Sequence, residues 1–320
     1  MKVLIGPNGQ NLEMWIPEGQ RLFPGIEFAY CADRDDLPNQ IANADVYMGY
    51  LNRDIFLAAK NLKWIQAPSS GVNNYLAIPE LAQSDVLLTS ASGTHGGTLA
   101  DHAFAMILNH TRCITESWEY QKKHEYAGRA LRPKIKELTG STIGILGFGA
   151  VGRTIAERAR GFNMRILAVD LFPNNKPDYV EELMGMDRLD RALKESDYLV
   201  VTVPYTPQTD RMLGARQLAL MKPDAMLIGI SRGKIIDEGA LAAALRENRL
   251  AAAGLDVFAQ EPLPADSELW DVENLLITPH DAGGTQFEGK YILEIFQENL
   301  GRLIRGELPL RNQADSQRGF

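Results

Sequence analysis

The stretch TIGILGFGAVGR (residues 142–153) decides the fold. A short apolar run leads straight into Gly147, Gly149 and Gly152 at GxGxxG spacing, and the amphipathic stretch AVGRTIAERARGF follows. That glycine spacing alone is weak. A strand before it and a helix after it are the context that gives it weight. Each glycine has a task. Gly147 makes the tight turn, Gly149 lets a pyrophosphate approach the backbone, and Gly152 lets the helix lie close to the strand. Ala150 and Val151 open the helix, whose unpaired N–H groups and positive dipole end suit phosphates. The next apolar run, RILAVD, ends in Asp170, about 20 residues on, where an acid accepts hydrogen bonds from ribose hydroxyls. A carboxylate there repels a 2′-phosphate, and the following LFPNN offers no Arg to hold one. The expected cofactor is NAD rather than NADP.

Outward from this motif the same rhythm continues. Strand candidates fall at 142–146, 165–170, 198–203, 225–230, 251–256 and 274–278, with helical stretches such as DEGALAAALREN between them. Upstream, KVLIG, IEFAY, DVYMG, LKWIQA and DVLLT form a separate series of short apolar runs. Such runs alternating with amphipathic stretches predict parallel sheets covered on both faces. A single long helix is expected from about Thr98 to His124, apolar nearly all round at Ala103, Phe104, Met106, Ile107 and Leu108. A final helix, QFEGKYILEIFQENLGRLIRG, has no strand after it and is expected to pack back on the first series. The expected architecture is α/β, with two doubly wound parallel-sheet domains. The first comprises residues 1–97 plus 284–320, and the dinucleotide-binding domain comprises 98–283. The chain would then cross an interdomain cleft near 93–100 and near 281–286.

Bulk composition agrees with two domains, since 320 residues exceed what one core usually supports. Hydrophobic residues at 45% and charged residues at 23% fit a soluble globular chain. The net charge of -8 and the lack of a basic stripe argue against a nucleic-acid partner. Cys31 and Cys113 form no metal or disulfide pattern and read as buried thiols in a reducing compartment. MKVLIGPNG reads as a first strand rather than a leader, and no apolar stretch approaches the ~20 residues that span a bilayer. A cytoplasmic protein without a membrane partner is expected. No His/Asp/Glu spacing suited to a metal stands out.

Ligands of open α/β sheets bind beyond the carboxyl ends of the strands. Three successive ends carry chemistry. ISRGKIIDEGAL places Arg232 past one strand. GLDVFAQEPLP places Asp256 at the next strand end and Glu261 in the loop beyond. LLITPHDAGG places His280 past the third. Each residue has a plain reading alone: an exposed Arg, a loop Glu, a capping His. Their convergence beside a dinucleotide loop favours an active site. Hydride transfer at C2 of a 2-hydroxy acid also requires loss of the hydroxyl proton, which suits His280 as acid/base. Glu261 would orient the imidazole, and Arg232 would bind a carboxylate through its two-pronged guanidinium.

These motifs, with VTVPYTPQT and the late LPLRN, resemble those of the D-isomer-specific 2-hydroxyacid dehydrogenases over essentially the whole chain. The resemblance implies a flavodoxin-like substrate domain, a Rossmann NAD-binding domain, and Arg232, Glu261 and His280 as the catalytic residues. It implies that Asp256 lies beside the nicotinamide, and that Pro204 and Thr209 contact the cofactor. It also implies that Ser70, Gly71 and Val72 of SSGVNN offer backbone amides to the substrate carboxylate. It further implies a homodimer built through the nucleotide-binding domain, for which the apolar part of helix 98–124 is suited. Three positions depart from the family pattern. Asp281 replaces an apolar residue after His280. Asn163 stands where glycine is usual, and Val201 with Thr202 stand where a Leu-His pair is frequent.

His95 lies near the first crossing and is a weaker substrate-side candidate. Tyr50, Leu51 and Trp15 are weaker still, Trp15 being equally a core anchor. His102, His110 and His124 read as structural. The expected function is an NAD-dependent dehydrogenase or reductase of a small 2-hydroxy or 2-oxo acid. The alternative from another class is an NAD-sensing regulatory or corepressor-like protein on the same fold. Formate oxidation fits less well, because formate has no hydroxyl proton for a His–Glu pair to manage.

Overall fold

A run that is apolar on both faces satisfies its backbone only within a sheet covered on both sides, and the apolar runs of this chain become such strands. The computed structural model describes residues 1–314. Residues 315–320, part of the expected first domain, lie outside the described residues. The chain folds as two compact units: Met1–His95 with the chain from Thr285 onward, and Gly96–Gly284.

In the first unit the strands are β1 (Lys2–Ile5), β2 (Glu27–Tyr30), β3 (Val46–Met48), β4 (Trp64–Gln66) and β5 (Leu87–Thr89). They form a parallel sheet of order β2-β1-β3-β4-β5. That is the flavodoxin-like order. Alternation along the strands splits the core into two faces. Leu4, Tyr47 and Ile65 pack with Leu37, Ile41 and Ile55 on one side. Val3, Ile5, Val46, Met48 and Trp64 pack on the other with Ile292, Phe296 and Leu300. These last three come from the helix Glu288–Arg305, and Phe296 stacks on Trp64 at 5.0 Å between ring centroids. Gly306 ends that helix in the left-handed conformation at φ 70°.

The second unit has seven parallel strands: β6 (Thr142–Leu146), β7 (Arg165–Val169), β8 (Glu182–Met184), β9 (Tyr198–Val201), β10 (Met226–Gly229), β11 (Ala252–Leu255) and β12 (Leu275–Ile277). Their order is β12-β11-β10-β9-β6-β7-β8. The winding reverses between β6 and β9, which is the switch point of a Rossmann sheet. The expected doubly wound α/β class is the observed one. Six of these strands match expected runs. The seventh, β8, was missed because a three-residue edge strand, half-buried at Glu182 and Leu183 and buried only at Met184, is too short to write an apolar run.

The expected single helix over 98–124 is two helices, Gly96–Arg112 and Ile114–Lys122. Cys113 between them is buried and left-handed at φ 54°, and the Asn109 side chain accepts from the Thr115 amide at 3.1 Å to start the second helix. The first helix does not keep its apolar face for a partner. Ala103, Phe104, Met106 and Ile107 lie in this unit's own core, and Phe104 stacks on Phe162 at 4.9 Å. Asn163 is left-handed at φ 54°, a conformation Asn tolerates where glycine is usual. Among the described residues no helix is long and apolar enough to cross a membrane.

Candidate active site

Gly147 follows β6 with φ 98°, open to glycine and strained for other residues. A Cβ there would lie 2.8 Å from the Val203 nitrogen, so the ends of β6 and β9 touch. A Cβ at Gly152 would sit 2.1 Å from the Gly147 carbonyl, which is how closely the helix Ala150–Gly161 lies on the turn. Above Gly149, by contrast, nothing lies within 4 Å of the position a Cβ would take. The loop is therefore tight behind and open in front, and Gly149, Ala150 and Val151 are placed to receive a pyrophosphate there. Of these, Gly149 and Ala150 are exposed and Val151 is half-buried. This geometry fits a dinucleotide.

Asp170 stands at the end of β7 with both oxygens engaged. Oδ2 accepts from the Phe148 amide at 2.6 Å and Oδ1 from the Phe172 amide at 2.9 Å. The acid thus holds the glycine loop before any ribose arrives. The segment after it has no Arg of its own, but one comes from elsewhere. Arg153, on the helix Ala150–Gly161, lies 4.7 Å over the Phe148 ring and donates to the Asn174 and Asn175 carbonyls at 2.8 Å each. Its place in GAVGR was the available signal. The Pro204–Thr209 loop closes on itself: the Thr209 hydroxyl donates to the Pro204 carbonyl at 2.9 Å and accepts from the Thr206 amide at 2.8 Å.

Three strand ends on the other side of the switch point carry Arg232, Glu261 and His280. Arg232 is extended and half-buried, and its Nη1 donates to the Ser231 carbonyl at 2.7 Å. Burial lowers the guanidinium pKa and the charge of Glu261 opposes that shift, so the two side chains share one electrostatic environment. Gly233 has no room for a side chain, since a Cβ would lie 1.9 Å from the Phe258 carbonyl carbon. That contact presses the Arg232 turn onto the loop that carries Glu261. Glu261 Oε1 accepts from the Phe258 amide at 2.9 Å, and its Oε2 lies 2.6 Å from His280 Nδ1. The hydroxyl of Ser231, which sequence reasoning did not single out, is buried with no hydrogen-bond partner among the described residues.

His280 is left-handed at φ 57°, an unfavourable conformation that the surroundings must enforce. Asp256 does so. It is 1% exposed, and its carboxylate accepts from the Thr278 hydroxyl at 2.6 Å and from the Asp281 and Ala282 amides at 3.0 Å each. His102 Nε2 lies 3.0 Å from the same Thr278 hydroxyl. Asp281 turns its carboxylate toward this group: ligand-type atoms of His102, Asp256 and Asp281 all lie within 4.8 Å of one another. Asp256 accepts three hydrogen bonds from residues 278–282, so the cluster reads as a hydrogen-bonded brace for the turn.

Ser70, Gly71 and Val72 belong to the first unit, at the end of β4. The Ser69 hydroxyl donates to the Gly71 carbonyl at 2.8 Å, and the Ser69 carbonyl accepts from Ala91 at 2.9 Å. Val72 is buried and Ser70 exposed. Trp15 is a core anchor, 5.6 Å edge-on from both Phe28 and Phe296. Leu51 is buried as well, which leaves Tyr50 as the partly exposed residue after β3.

Residues 104–282 match the family model described as D-isomer specific 2-hydroxyacid dehydrogenase, NAD binding domain. A glyoxylate reductase of Pyrococcus furiosus is 35% identical over 288 residues, covering 86% of this chain and 84% of the relative. A D-isomer specific 2-hydroxyacid dehydrogenase family protein of Aeromonas salmonicida superposes with a TM-score of 0.86 at 28% identity, over 98% of this chain and 99% of that one. An NADPH-dependent glyoxylate/hydroxypyruvate reductase of Sinorhizobium meliloti, in complex with NADP and sulfate, superposes at 0.85 with 25% identity over 100% of both chains. On this match over more than half of its length and this identity over most of it, the chain belongs to the D-isomer specific 2-hydroxyacid dehydrogenase family.

Proposed function

We propose that this chain transfers a hydride between NAD(H) and C2 of a small D-2-hydroxy acid or the corresponding 2-oxo acid. The observation that carries it is the 2.6 Å pairing of His280 Nδ1 with Glu261 Oε2. That pairing commits Nδ1 and leaves Nε2 as the nitrogen that exchanges a proton with the C2 oxygen. Glu261 fixes the ring and stabilises its charged form. Arg232 holds the substrate carboxylate and draws charge from the neighbouring carbonyl. In the first unit, Ser70, Gly71 and Val72 offer backbone donors for a carboxylate. When bound, the nicotinamide supplies or receives the hydride.

On the cofactor side Gly147, Gly149, Ala150, Val151 and Gly152 cradle the pyrophosphate, and Pro204 and Thr209 border the loop beyond β9. Asp170 faces the ribose hydroxyls and favours NAD over NADP. Asp256 serves the nicotinamide end by holding the His280 turn. A homodimer would use the Ile114–Lys122 face, where Ile114 and Trp118 are more than half exposed at 55% and 57%. Sedimentation of wild type against Trp118→Glu tests that.

The activities of the similar proteins, a glyoxylate reductase and a glyoxylate/hydroxypyruvate reductase, put glyoxylate and hydroxypyruvate first among the substrates to try, with pyruvate and phenylpyruvate beside them. The test is NADH and NADPH oxidation across this panel at neutral pH. Turnover is expected with at least one 2-oxo acid, faster with NADH. His280→Ala should lower kcat by about 10²–10⁴ with NADH binding retained. Tight NADH binding with no turnover on any 2-oxo acid would favour the NAD-sensing alternative instead.

A further inference from the structure

The loop that carries Ser70 is tied to a histidine by a second hydrogen-bonded cluster, wholly within the first unit. Ser70 Oγ lies 2.7 Å from His95 Nδ1, and Thr94 Oγ1 lies 2.9 Å from the same nitrogen. On the opposite edge of the ring, Glu288 Oε1 of the helix Glu288–Arg305 lies 3.8 Å from Nε2. The His95 side chain is only 12% exposed. Thr94 spends its proton on the Ala91 carbonyl at 2.7 Å, so it presents lone pairs to Nδ1.

One ring nitrogen facing two hydroxyl oxygens has two arrangements. With Nδ1 bare, it accepts the Ser70 proton, and Ser70 has no hydrogen left for an anion. With Nδ1 protonated, its one hydrogen is shared between Thr94 and Ser70, and the Ser70 O–H turns away from the ring, toward the Ala91 carbonyl at 3.3 Å until an anion competes for it. Glu288 favours a proton on Nε2 in both cases, so the second arrangement is the imidazolium. Without a ligand, burial pulls the His95 pKa down and Glu288 works against that shift. Tyr50 is a further titratable group beside that carboxylate, its phenol pushed up by burial first and by Glu288 second.

We propose that His95 is a positioning residue for the substrate carboxylate: anion binding at the Ser70 hydroxyl is coupled to uptake of a proton at His95 Nδ1, with Glu288 stabilising the ion formed. This rests on the reading that the Ser70–Val72 loop receives the carboxylate. It adds a proton-linked donor to that loop, separate from the acid/base role of His280. Substrate affinity should therefore weaken as pH rises, through a group that is not the catalytic histidine.

The experiment measures binding of oxamate and oxalate to the NADH-saturated enzyme by calorimetry, in buffers of different ionisation enthalpy and at several pH values. Wild type is compared with His95→Asn, Ser70→Ala and Glu288→Gln. Asn at position 95 keeps an amide near Nδ1 but does not titrate, and every other titratable group is common to it and wild type. Wild type should take up several tenths of a proton more than His95→Asn. Affinity should drop roughly tenfold in His95→Asn, the scale of a lost hydrogen bond to a charged group. In Glu288→Gln the extra uptake should move to lower pH. That arm also stands if His95→Asn folds poorly. Equal uptake in wild type and His95→Asn, with Ser70→Ala still weakening both anions, would overturn this inference and leave the loop assignment standing. Unchanged anion affinity in Ser70→Ala would overturn this inference and leave the backbone donors of the loop standing, whereas no binding of either anion to wild type would overturn both.

Discussion

Glu261 bridges two loops: one oxygen accepts the Phe258 amide at 2.9 Å and the other meets His280 Nδ1 at 2.6 Å. The first bond anchors the carboxylate to its own turn, so the second orients the imidazole against a fixed point. Glu261→Gln keeps the shape and removes the charge. The imidazole then loses its charged partner, and 2-oxo acid reduction should slow. Steady-state kinetics should show a loss of roughly 10–10² in kcat with KM for the 2-oxo acid nearly unchanged. A kcat within about twofold of wild type would mean that the pairing is structural only.

Gly233 faces the Phe258 backbone so closely that a methyl group would lie 1.9 Å from a carbonyl carbon. Backbone has to move, and it is the backbone that sets Arg232 against the Glu261 loop. Gly233→Ala should therefore cost at least about 3 kcal/mol, at the severe end of overpacking. Urea unfolding should show the loss, and KM for the 2-oxo acid should rise. A midpoint within error of wild type would contradict the packing described here.

Asp170 has two tasks. Its charge opposes a 2′-phosphate, and its oxygens hold the Phe148 and Phe172 amides at 2.6 and 2.9 Å. Asp170→Ala should thus raise KM for both cofactors while narrowing the NADH over NADPH ratio in kcat/KM. Asp170→Asn separates the tasks, because the amide oxygen can still accept while the charge is gone. A preference that survives both changes would assign selectivity elsewhere, with Arg153 the next residue to examine.

The sheets were legible because buried parallel strands write themselves as continuous apolar runs, and GxGxxG with a distant Asp is a fixed spacing. Arg232, Glu261 and His280 were legible as strand-end residues. Their contacts were not: the Gly233–Phe258 approach and the left-handed His280 backbone depend on tertiary packing. Asp256 read as a cofactor neighbour, yet its carboxylate is committed to the turn at 278–282. The break at Cys113 escaped notice because a single left-handed residue does not disturb an apolar period. Arg153 was not legible as a neighbour of the segment after Asp170 because it lies 21 and 22 residues earlier in the chain than Asn174 and Asn175, and only folding brings its guanidinium to their carbonyls.

His110, near the end of the helix Gly96–Arg112, gives a prediction with a definite sign. Burial lowers its pKa below the ordinary imidazole value, Lys136 adds to the shift, and Glu116 opposes it. The unfolded chain therefore binds a proton at a pH where the folded chain resists it. Stability from this group is complete above the ordinary imidazole range, about 6.5, and declines as pH falls from there toward the folded value. His95, shifted in the same direction by burial, contributes a parallel slope in the other unit. His110→Gln does not titrate, so it should flatten part of the acid decline and leave the remainder to His95. Melting curves from pH 8 to 5.5 should show the wild-type Tm falling further than the variant's, by roughly 1–2 °C for a group of this size in a chain of this length. Parallel curves would mean that His110 is protonated equally in both states, and a steeper fall in the variant would reverse the sign derived from its burial.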